Sequence, residues 1–269
     1  DGLMLFLSDR PHPGSKDEPR AQIWALPPAG EAYPLTDEPH GVADFKVAGS
    51  TVVAVVELLP DVPLEAQRKT LADKKKLGPS LLKYDEQPVR FWDRWLGPTE
   101  PRLVAWDLSG GPNPSLTERR EIARDARDAL RENGWDLAPD GGRVVITWAA
   151  LSADRIRDKC LALIDTREGL RTLWGTEPGT VHAAPRFVAD GSLVAQRYTR
   201  TPEGYAHRTL WRYRDGHAHE LTAGWDRWPA PWAATVTHAL TTAEAEAATP
   251  LFLVDLESGV EHAVGPREG

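Results

Sequence analysis

The chain has 269 residues, of which 41% are hydrophobic, and this length suits one large all-β domain or two smaller domains. The formal net charge of −8 argues against a nucleic-acid-binding or anionic-membrane surface, and a single cysteine excludes an intrachain disulfide and a cysteine-based metal cluster. No apolar run approaches the roughly 18 residues that cross a bilayer. The opening residues Asp1-Gly2-Leu3-Met4 lack the basic segment of a signal peptide and are typical of the second half of a hairpin, so we expect the chain to begin inside a domain.

Short apolar segments separated by turns recur from the start of the chain. A partial unit covers residues 1–36 and contains the strand-like run Gln22–Leu26. A second unit covers residues 44–117. It is interrupted by the charged segment 64–77, which predicts a helix that ends at Gly78-Pro79.

The segment after the second unit also has a helical pattern. Ser115-Leu116-Thr117-Glu118 matches a capping box, and Ile122, Ala126 and Leu130 fall on one helical face before Gly134. We therefore predict a second short helix here. Both helical segments are more typical of solvated insertions between strands than of a binding lid, although surface insertions often carry function.

The clearest copy of the unit covers residues 135–173. Its first turn is Pro139-Asp140-Gly141, its second and third strands are residues 143–148 and 160–165, and a turn at Gly169 leads to the last strand.

Two further copies follow. The first has the turns Asp190-Gly191 and Asp215-Gly216 on either side of a strand at residues 210–213. The last contains predicted strands at residues 234–237 and 251–255.

Repeated four-stranded units joined by Asp-Gly turns predict an all-β fold. Asp-Gly between apolar runs is a strong hairpin signal, since both central residues of the favoured turn need positive φ. Such units are typical of the blades of a β-propeller, which bury their faces only against their neighbours. We predict one β-propeller domain over residues 1–269 with about five blades, the first incomplete, in an incomplete ring. A β-sandwich is the alternative, which the regular order of turns disfavours.

The segment 84–98 reads Tyr-Asp-Glu-Gln-Pro-Val-Arg-Phe-Trp-Asp-Arg-Trp-Leu-Gly-Pro. It resembles the Pro-Val-Arg-aromatic-Trp-Asp-x-x-Leu-Gly-Pro motif of bacterial family S9 serine peptidases, the acylaminoacyl-peptidase and dipeptidyl-peptidase-like relatives of prolyl oligopeptidase. Residues 6–10, 23–24, 30–36 and 134–141 look like the same family, so the resemblance extends over nearly the whole chain. The Asp-Gly units alone are shared with TolB-like propellers.

The resemblance implies a partner domain. In that family a propeller caps an α/β-hydrolase domain, whose triad serine lies in a Gly-x-Ser-x-Gly elbow. No serine of this chain has glycine both two positions before and two positions after it, and Ser109-Gly110-Gly111 is typical of a hairpin turn. We therefore expect the catalytic domain to be absent from this chain, the chain alone to be inactive, and the hydrolase domain and short peptides to be its partners.

Arg90, Trp92, Asp93, Arg94 and Trp95 are the candidate residues for contact with the substrate or with the hydrolase domain. The planar fork of an arginine clamps a carboxylate or a carbonyl, and a tryptophan supplies a rigid apolar wall. The alternative is an internal Arg–Asp pair with tryptophan packed under a long loop.

Other candidate residues carry weaker signals. Glu118 and Glu121 lack the flanking pattern of the acidic residues that anchor substrate amino termini in dipeptidyl peptidases. His217 and His219 share one strand face, but a pair beside a turn is more typical of a solvated edge than of a metal site. Cys160 lies in a strand-like run and is expected to be a buried, inert thiol. We predict no catalytic residue, metal or cofactor in this chain.

Two functions remain open. The first is a non-catalytic propeller of a cytoplasmic serine peptidase, which limits access to the triad so that short peptides are cleaved and folded proteins are spared. The second is a stand-alone TolB-like propeller that acts as a protein-interaction module. Neither function needs a nucleic-acid or membrane partner.

Overall fold

The computed structural model describes residues 2–11, 18–78, 90–91, 94–111, 113–131, 134–151, 157–201, 204–205, 207–245 and 247–265. In these ranges the chain consists mostly of β-strands, with one α-helix, α1, at Gln67–Leu77. The chain divides into two compact units: residues 1–46 with 52–128, and residues 47–51 with 129–269. No helix in the described ranges has the length and apolar character needed to cross a membrane.

The first unit contains two antiparallel meanders and a short hairpin. Their strands are β1 (Met4–Ser8), β2 (Gln22–Leu26), β3 (Tyr33–Pro34), β4 (Val42–Ala48), β5 (Thr51–Leu58), β6 (Arg90–Phe91), β7 (Arg94–Trp95), β8 (Glu100–Leu108) and β9 (Leu116–Ala123). The first meander has the order β1-β2-β3, the second has the order β4-β5-β8-β9, and β6 pairs with β7. The two meanders share a core that includes Ile23, Val52, Ala54, Val104 and Trp106.

Helix α1 lies between β5 and β8, where the sequence predicts it. It ends at Gly78, whose φ of 55° is left-handed and whose amide donates to the Lys74 carbonyl oxygen at 3.3 Å. Glycine adopts this conformation without the steric cost of a Cβ atom, so Gly78 is the physical stop signal of the helix.

The second predicted helix is wrong, because Leu116–Ala123 is strand β9 and a 3₁₀ turn at Arg127–Leu130 follows it. Strand β9 pairs antiparallel with β8, and the register shifts twice along the pair. Glu118 has a φ of 54° within this irregular strand. Such irregularities break the period-two alternation of a strand, which explains why the apolar spacing imitates a helical face. Glu118 and Glu121 therefore lie on a strand.

The second unit contains three antiparallel meanders. Their strands are β10 (Trp135–Leu137), β11 (Arg143–Leu151), β12 (Arg157–Asp165), β13 (Arg171–Trp174), β14 (Thr180–Phe187), β15 (Leu193–Thr201), β16 (Gly204–Tyr205), β17 (Thr209–Arg214), β18 (His217–Glu220), β19 (Ala230–Ala234), β20 (His238–Thr242), β21 (Leu251–Asp255) and β22 (Glu261–Val264). The meanders are β10 to β13, β14-β15-β17-β18 with β16 added to β15, and β19 to β22. A parallel pairing of Lys159 with Val181 joins the first two into one sheet.

Alternate faces of these meanders pack into two cores. One core joins the first and second meanders through Val145, Leu161, Leu163, Phe187 and Leu193. The other joins the second and third meanders through Val194, Leu210, Trp225, Phe252 and Val254. Each meander is thus buried against its neighbour in sequence, which is the arrangement expected of stacked repeats.

The Asp-Gly turns lie where the sequence predicts them, but they are of two kinds. Asp215 and Gly216 both have positive φ, at 50° and 80°, and they close the two-residue hairpin between β17 and β18. At Asp140-Gly141 and Asp190-Gly191 only the glycine has positive φ, at 72° and 81°. There the aspartate side chain accepts an amide two residues further on, from Gly142 or Ser192. The expectation of positive φ at both residues is wrong for these two turns.

The predicted strand at residues 234–237 is also wrong. Thr235 donates its amide to the His238 carbonyl oxygen at 2.8 Å, and its hydroxyl oxygen accepts the His238 amide at 3.0 Å. These bonds close a tight turn, so the strand begins at His238 instead.

Candidate functional site

The predicted site segment forms part of a short hairpin in the first unit. Arg90 lies on β6 and is paired in register with Trp95 on β7, which also contains Arg94. The Arg90 side chain is exposed. Trp92 and Asp93 lie outside the described residues. The contact of this segment with a substrate or a hydrolase domain stays a prediction.

The candidate thiol and imidazoles have the surroundings expected of structural residues. Cys160 is 4% exposed and its Sγ lies 3.6 Å from the Trp148 carbonyl oxygen. Burial raises the pKa of the Cys160 thiol, which disfavours the reactive thiolate. His217 and His219 are both exposed on β18. No group of three potential metal ligands occurs in the described part of the chain.

A cleft of about 220 Å³ lies in the first unit beside helix α1. We call it the α1 cleft. Its walls come from Arg10 and residues 18–20 between β1 and β2, from β2 itself, from the loop that follows β3 and from α1. Its cationic side chains are Arg10, Arg20, Arg68 and Lys75, its carboxylates belong to Glu18, Asp37 and Glu38, and Leu71 and Ala72 provide an apolar patch.

Gln22 fixes the floor of the α1 cleft. Its side chain is 5% exposed, and its Nε2 donates to the Glu38 carbonyl oxygen at 2.9 Å. Its Oε1 accepts the Thr36 hydroxyl at 2.8 Å and the Glu38 amide at 2.9 Å. The Thr36 hydroxyl oxygen in turn accepts the amide of Ile23 on β2 at 2.9 Å. Because every polar atom of this group is satisfied, the loop is held rigidly against β2.

The three carboxylates of the α1 cleft are each bound by a cation. Glu38 is 5% exposed and accepts Nε and Nη2 of Arg119 on β9, at 2.8 and 3.0 Å. Asp37 accepts both terminal nitrogens of Arg68. The third carboxylate, Glu18, accepts Lys75 Nζ at 2.9 Å, and this bond lowers the pKa of Glu18.

The positive charges of two arginines in the α1 cleft are balanced weakly or not at all by carboxylates of the described residues. Arg20 Nη2 lies 3.7 Å from the Glu18 carboxylate, which Lys75 already binds more closely. Arg10 pairs with no carboxylate among the described residues, and its guanidinium lies 5.9 Å from the ring centres of Phe6 and Trp24. The α1 cleft is therefore a locally positive site in an acidic chain.

The α1 cleft also contains an imidazole whose proton position is fixed by its partner. Gln67 is 1% exposed, its Nε2 donates to the carbonyl oxygens of Leu59 and Val62, and its Oε1 accepts the Leu59 amide. That Oε1 lies 3.0 Å from His40 Nε2. Because the Gln67 oxygen only accepts, Nε2 of His40 carries the proton and Nδ1 presents a lone pair.

His40 Nδ1 is buried and has no hydrogen-bond partner among the described residues. Burial lowers the pKa of His40, and the positive charges of Arg20 and Arg68 lower it further against the opposing effect of the Gln67 bond. The imidazole is therefore neutral near pH 7, and its Nδ1 is a buried acceptor that the described residues leave unpaired.

Sequence reasoning did not find the α1 cleft. Its charged residues come from three segments that are far apart in sequence. The side-chain amides of Gln22 and Gln67 join these segments, and so do the ion pairs of Arg68 with Asp37 and of Lys75 with Glu18. The feature of the sequence that pointed towards this region was the charged helix, which interrupts a pair of strands and therefore marks an insertion. The partners of that helix depend on tertiary packing, which no local pattern encodes.

Comparison with solved structures identifies the fold. Pyrococcus horikoshii acylaminoacyl peptidase matches with a TM-score of 0.61 and 14% identity, over 98% of this chain and 37% of that chain. The β-propeller domain of the Trilobed protease from Pyrococcus furiosus matches with a TM-score of 0.57 and 9% identity, over 98% and 66% of the two chains. TolB from Acinetobacter baumannii matches with a TM-score of 0.51 and 11% identity, over 98% and 53%.

The chain has a β-propeller fold. This confirms the predicted fold class, and the peptidases among the matched structures confirm the predicted resemblance at the level of the fold. The chain spans 37% of the length of acylaminoacyl peptidase. No family model and no curated protein sequence matches the chain. The number of blades stays a prediction.

Proposed function

We propose that this chain is the non-catalytic propeller portion of a serine peptidase of the prolyl oligopeptidase class. The observation that carries the proposal is the match of 98% of the chain to 37% of acylaminoacyl peptidase. The sequence of residues 84–98, which resembles a motif of the same peptidase class, supports it independently. The catalytic partner in this proposal is an α/β-hydrolase domain with a Ser-Asp-His triad, which is not part of residues 1–269.

The propeller in this proposal limits access to the triad, so that short peptides reach it and folded proteins do not. The Arg90–Trp95 hairpin contacts the peptide or the hydrolase domain. The position of the hairpin supports this role. The hairpin is inserted between β5 and β8 of the second meander, and insertions on a regular scaffold commonly carry binding functions. The proposed compartment is the cytoplasm, which cell fractionation tests directly.

Comparison of peptide and protein substrates tests the proposed function. The protein purified from its natural source is assayed on a chromogenic dipeptide or tripeptide and on a folded protein of similar sequence content. We expect cleavage of the short substrate and none of the folded protein. Cleavage of both at comparable kcat/KM would contradict the gating role.

A substitution tests the proposed role of the hairpin. In the active enzyme, Arg90→Ala should lower kcat/KM for short peptides by about tenfold, as expected for the loss of a charge-assisted contact. The matched control is Arg124→Ala, which removes an arginine with a 78% exposed side chain from the same unit. An unchanged kcat/KM in a folded Arg90→Ala enzyme removes the hairpin from the proposal.

A stand-alone propeller that binds other proteins is the second candidate function. The match to TolB over 98% of this chain and 53% of that chain supports it. In this alternative the natural gene product contains no hydrolase domain and shows no peptidase activity. The substrate comparison above separates the two functions, because only the first predicts turnover.

A further inference from the structure

We infer that Arg208 and Trp228 of the second unit form a binding site for an extended peptide segment that contains an acidic residue two positions from an aromatic residue. The acidic side chain binds the guanidinium of Arg208, and the aromatic ring packs on the exposed indole of Trp228. This inference goes beyond the proposed function, because the site belongs to the propeller and its binding needs no hydrolase domain.

The indole of Trp228 is exposed to solvent and yet held in place. Trp228 lies in the loop between β18 and β19 and is 56% exposed. Its Nε1 donates to Nδ1 of His207 at 3.1 Å. The other imidazole nitrogen, Nε2, lies 2.8 Å from the Trp225 carbonyl oxygen and 2.9 Å from that of Arg227, so Nε2 carries the proton and Nδ1 accepts. A ring that is already fixed loses little conformational freedom when a ligand packs on it.

The guanidinium of Arg208 lies between two aromatic rings. Its Cζ is 4.8 Å from the ring centre of Trp228 and 4.9 Å from the ring centre of Tyr198. Rings that cover the faces of a guanidinium leave its N–H donors, which lie in the guanidinium plane, for another partner. Arg208 is partly exposed, and no carboxylate among the described residues pairs with it. Its planar fork of donors is therefore positioned for an external carboxylate.

The charge of the loop between β18 and β19 favours an anionic ligand. Arg227 lies in this loop, 5.3 Å from the ring centre of Phe252 and 5.9 Å from that of Trp225. Among the described residues no carboxylate pairs with Arg227, and the exposed Asp226 beside it in sequence is not an exception. The loop and Arg208 are thus locally positive, whereas the chain has a net charge of −8. Because that overall charge repels a polyanion, a single carboxylate fits better than a nucleic acid.

The ring and the cation are adjacent, so the site selects two neighbouring groups of one ligand. The distance of 4.8 Å between Arg208 Cζ and the Trp228 ring centre brings a bound carboxylate close to any ring that packs on the indole. In an extended peptide the side chains of residues i and i+2 lie on the same side of the backbone. An acidic and an aromatic residue at this spacing therefore reach both parts of the site together, and aromatic rings gain additional attraction when they pack against each other.

Three matched peptides test the inference on the full chain by isothermal titration calorimetry at pH 7.5. N-acetyl-Glu-Ala-Phe amide carries both recognised groups, N-acetyl-Gln-Ala-Phe amide lacks the charge, and N-acetyl-Glu-Ala-Ala amide lacks the ring. We expect the first to bind, and the other two each to bind about tenfold more weakly. Equal affinity for the glutamate and glutamine peptides would overturn the inference, as would the absence of binding by the first peptide at millimolar concentration.

The indole N–H signals in the ¹H–¹⁵N NMR spectrum locate the bound peptide. The signal of Trp228 is the one that disappears in Trp228→Phe. We expect the first peptide to shift this signal, and we expect the signal of Trp232, which is 64% exposed and bonds Thr242 through its Nε1, to stay in place. Binding that leaves the Trp228 signal unchanged would place the peptide elsewhere and overturn the inference.

A pair of arginine variants and one nucleotide complete the test. Arg208→Gln should weaken the first peptide about tenfold and leave the glutamine peptide unchanged, because only the first peptide carries the charge. The control Arg167→Gln removes an exposed arginine from the turn between β12 and β13 and should change neither affinity. An unchanged affinity in a folded Arg208→Gln protein would overturn the inference. Adenosine monophosphate that binds more tightly than the first peptide would overturn the peptide assignment in favour of a nucleotide site.

The outcome for this site is independent of the outcome for the proposed function. Peptide binding in a protein without peptidase activity leaves this inference intact and removes only the proposed function. Peptidase activity in a protein that does not bind the first peptide removes only this inference.

Discussion

The imidazole Nε2 of His182 lies 2.6 Å from the hydroxyl oxygen of Tyr213 in the interior of the second unit. The other ring nitrogen, Nδ1, lies 2.8 Å from the carbonyl oxygen of Lys159. Because a carbonyl oxygen only accepts, Nδ1 carries the proton and Nε2 accepts the Tyr213 hydroxyl. Both residues are essentially buried, and Lys159 belongs to β12, so this pair ties the second meander of the unit to the first.

Unfolding should become easier in mild acid because of His182. Burial lowers the pKa of His182 from 6.5 to about 4, so the unfolded chain binds a proton that the folded chain rejects. The contribution of this group to stability is complete above pH 6.5 and is lost as the pH falls from 6.5 towards 4, by on the order of 3 kcal/mol. Urea unfolding of the wild type and of His182→Gln at pH 7 and pH 5 measures it.

The difference between the two pH values is the decisive quantity. We expect it to shrink in His182→Gln even if that variant is less stable at both pH values. His219→Gln removes an exposed imidazole from the same unit and is the control, which should keep the wild-type difference. An unchanged pH difference in His182→Gln would show that another group is responsible.

Gly175→Ala should destabilise the second unit by displacing His182. Gly175 has a φ of 65°, and a Cβ atom built there would lie 2.4 Å from His182 Cε1. Gly216→Ala is a matched control, because Gly216 has a φ of 80° and open space around its missing side chain. The control carries only the backbone strain of about 1–2 kcal/mol, and Gly175→Ala should exceed it in thermal unfolding. Equal losses would mean that the imidazole moves aside without cost.

Asp190→Ala should cost more stability than the equivalent change in the preceding meander. Asp190 Oδ2 accepts Nη2 of Arg212 at 2.9 Å, and Arg212 is 6% exposed. Removing the carboxylate leaves a nearly buried cation whose remaining ionic partner among the described residues is Glu257, at an expected loss of about 2–3 kcal/mol. Asp140→Ala, in the same turn position, removes only an acceptor for the Gly142 amide and should cost about 1 kcal/mol in urea unfolding. The opposite order would contradict the role assigned to Arg212.

Gln67→Ala should loosen helix α1. The substitution leaves the amide and the carbonyl of Leu59, which is 2% exposed, without their partner. The expected loss is about 2 kcal/mol or more, together with faster amide hydrogen exchange in the first turn of α1. Lys69→Gln is the control on the same helix, since its ion pair with Asp73 is exposed to solvent and should contribute little to stability. Unchanged exchange in Gln67→Ala would show that other contacts hold the helix.

Most of the fold could be predicted from the sequence because the repeated unit is local. The runs around Asp140-Gly141 and Asp190-Gly191 contain both the apolar strands and the glycine that the turn requires, within a few residues of each other. Helix α1 was visible for the same reason, since Gly78 ends it. The prediction of a helix around Leu116–Ala123 was wrong, because a strand whose pairing shifts register twice has no regular alternation of apolar residues.

The candidate site could not be predicted in the same way. The site combines residues from three separate segments of the first unit: Arg10, His40 and Gln67. The local sequence around each of them contains no motif that marks it as part of a site. Their relationship arises from packing of α1 against the loop after β3. The proton position of His40 depends on Gln67 contacts that no spacing rule reveals.

Labelling of the natural protein with a fluorophosphonate, followed by its intact mass, tests the central claim most directly. The reagent modifies an activated serine, which the peptidase proposal assigns to a hydrolase domain outside residues 1–269. We predict a labelled species well above the 29.7 kDa of this chain, with the modified serine in a Gly-x-Ser-x-Gly sequence. An unlabelled protein with a mass of 29.7 kDa would contradict the claim and favour a propeller that only binds.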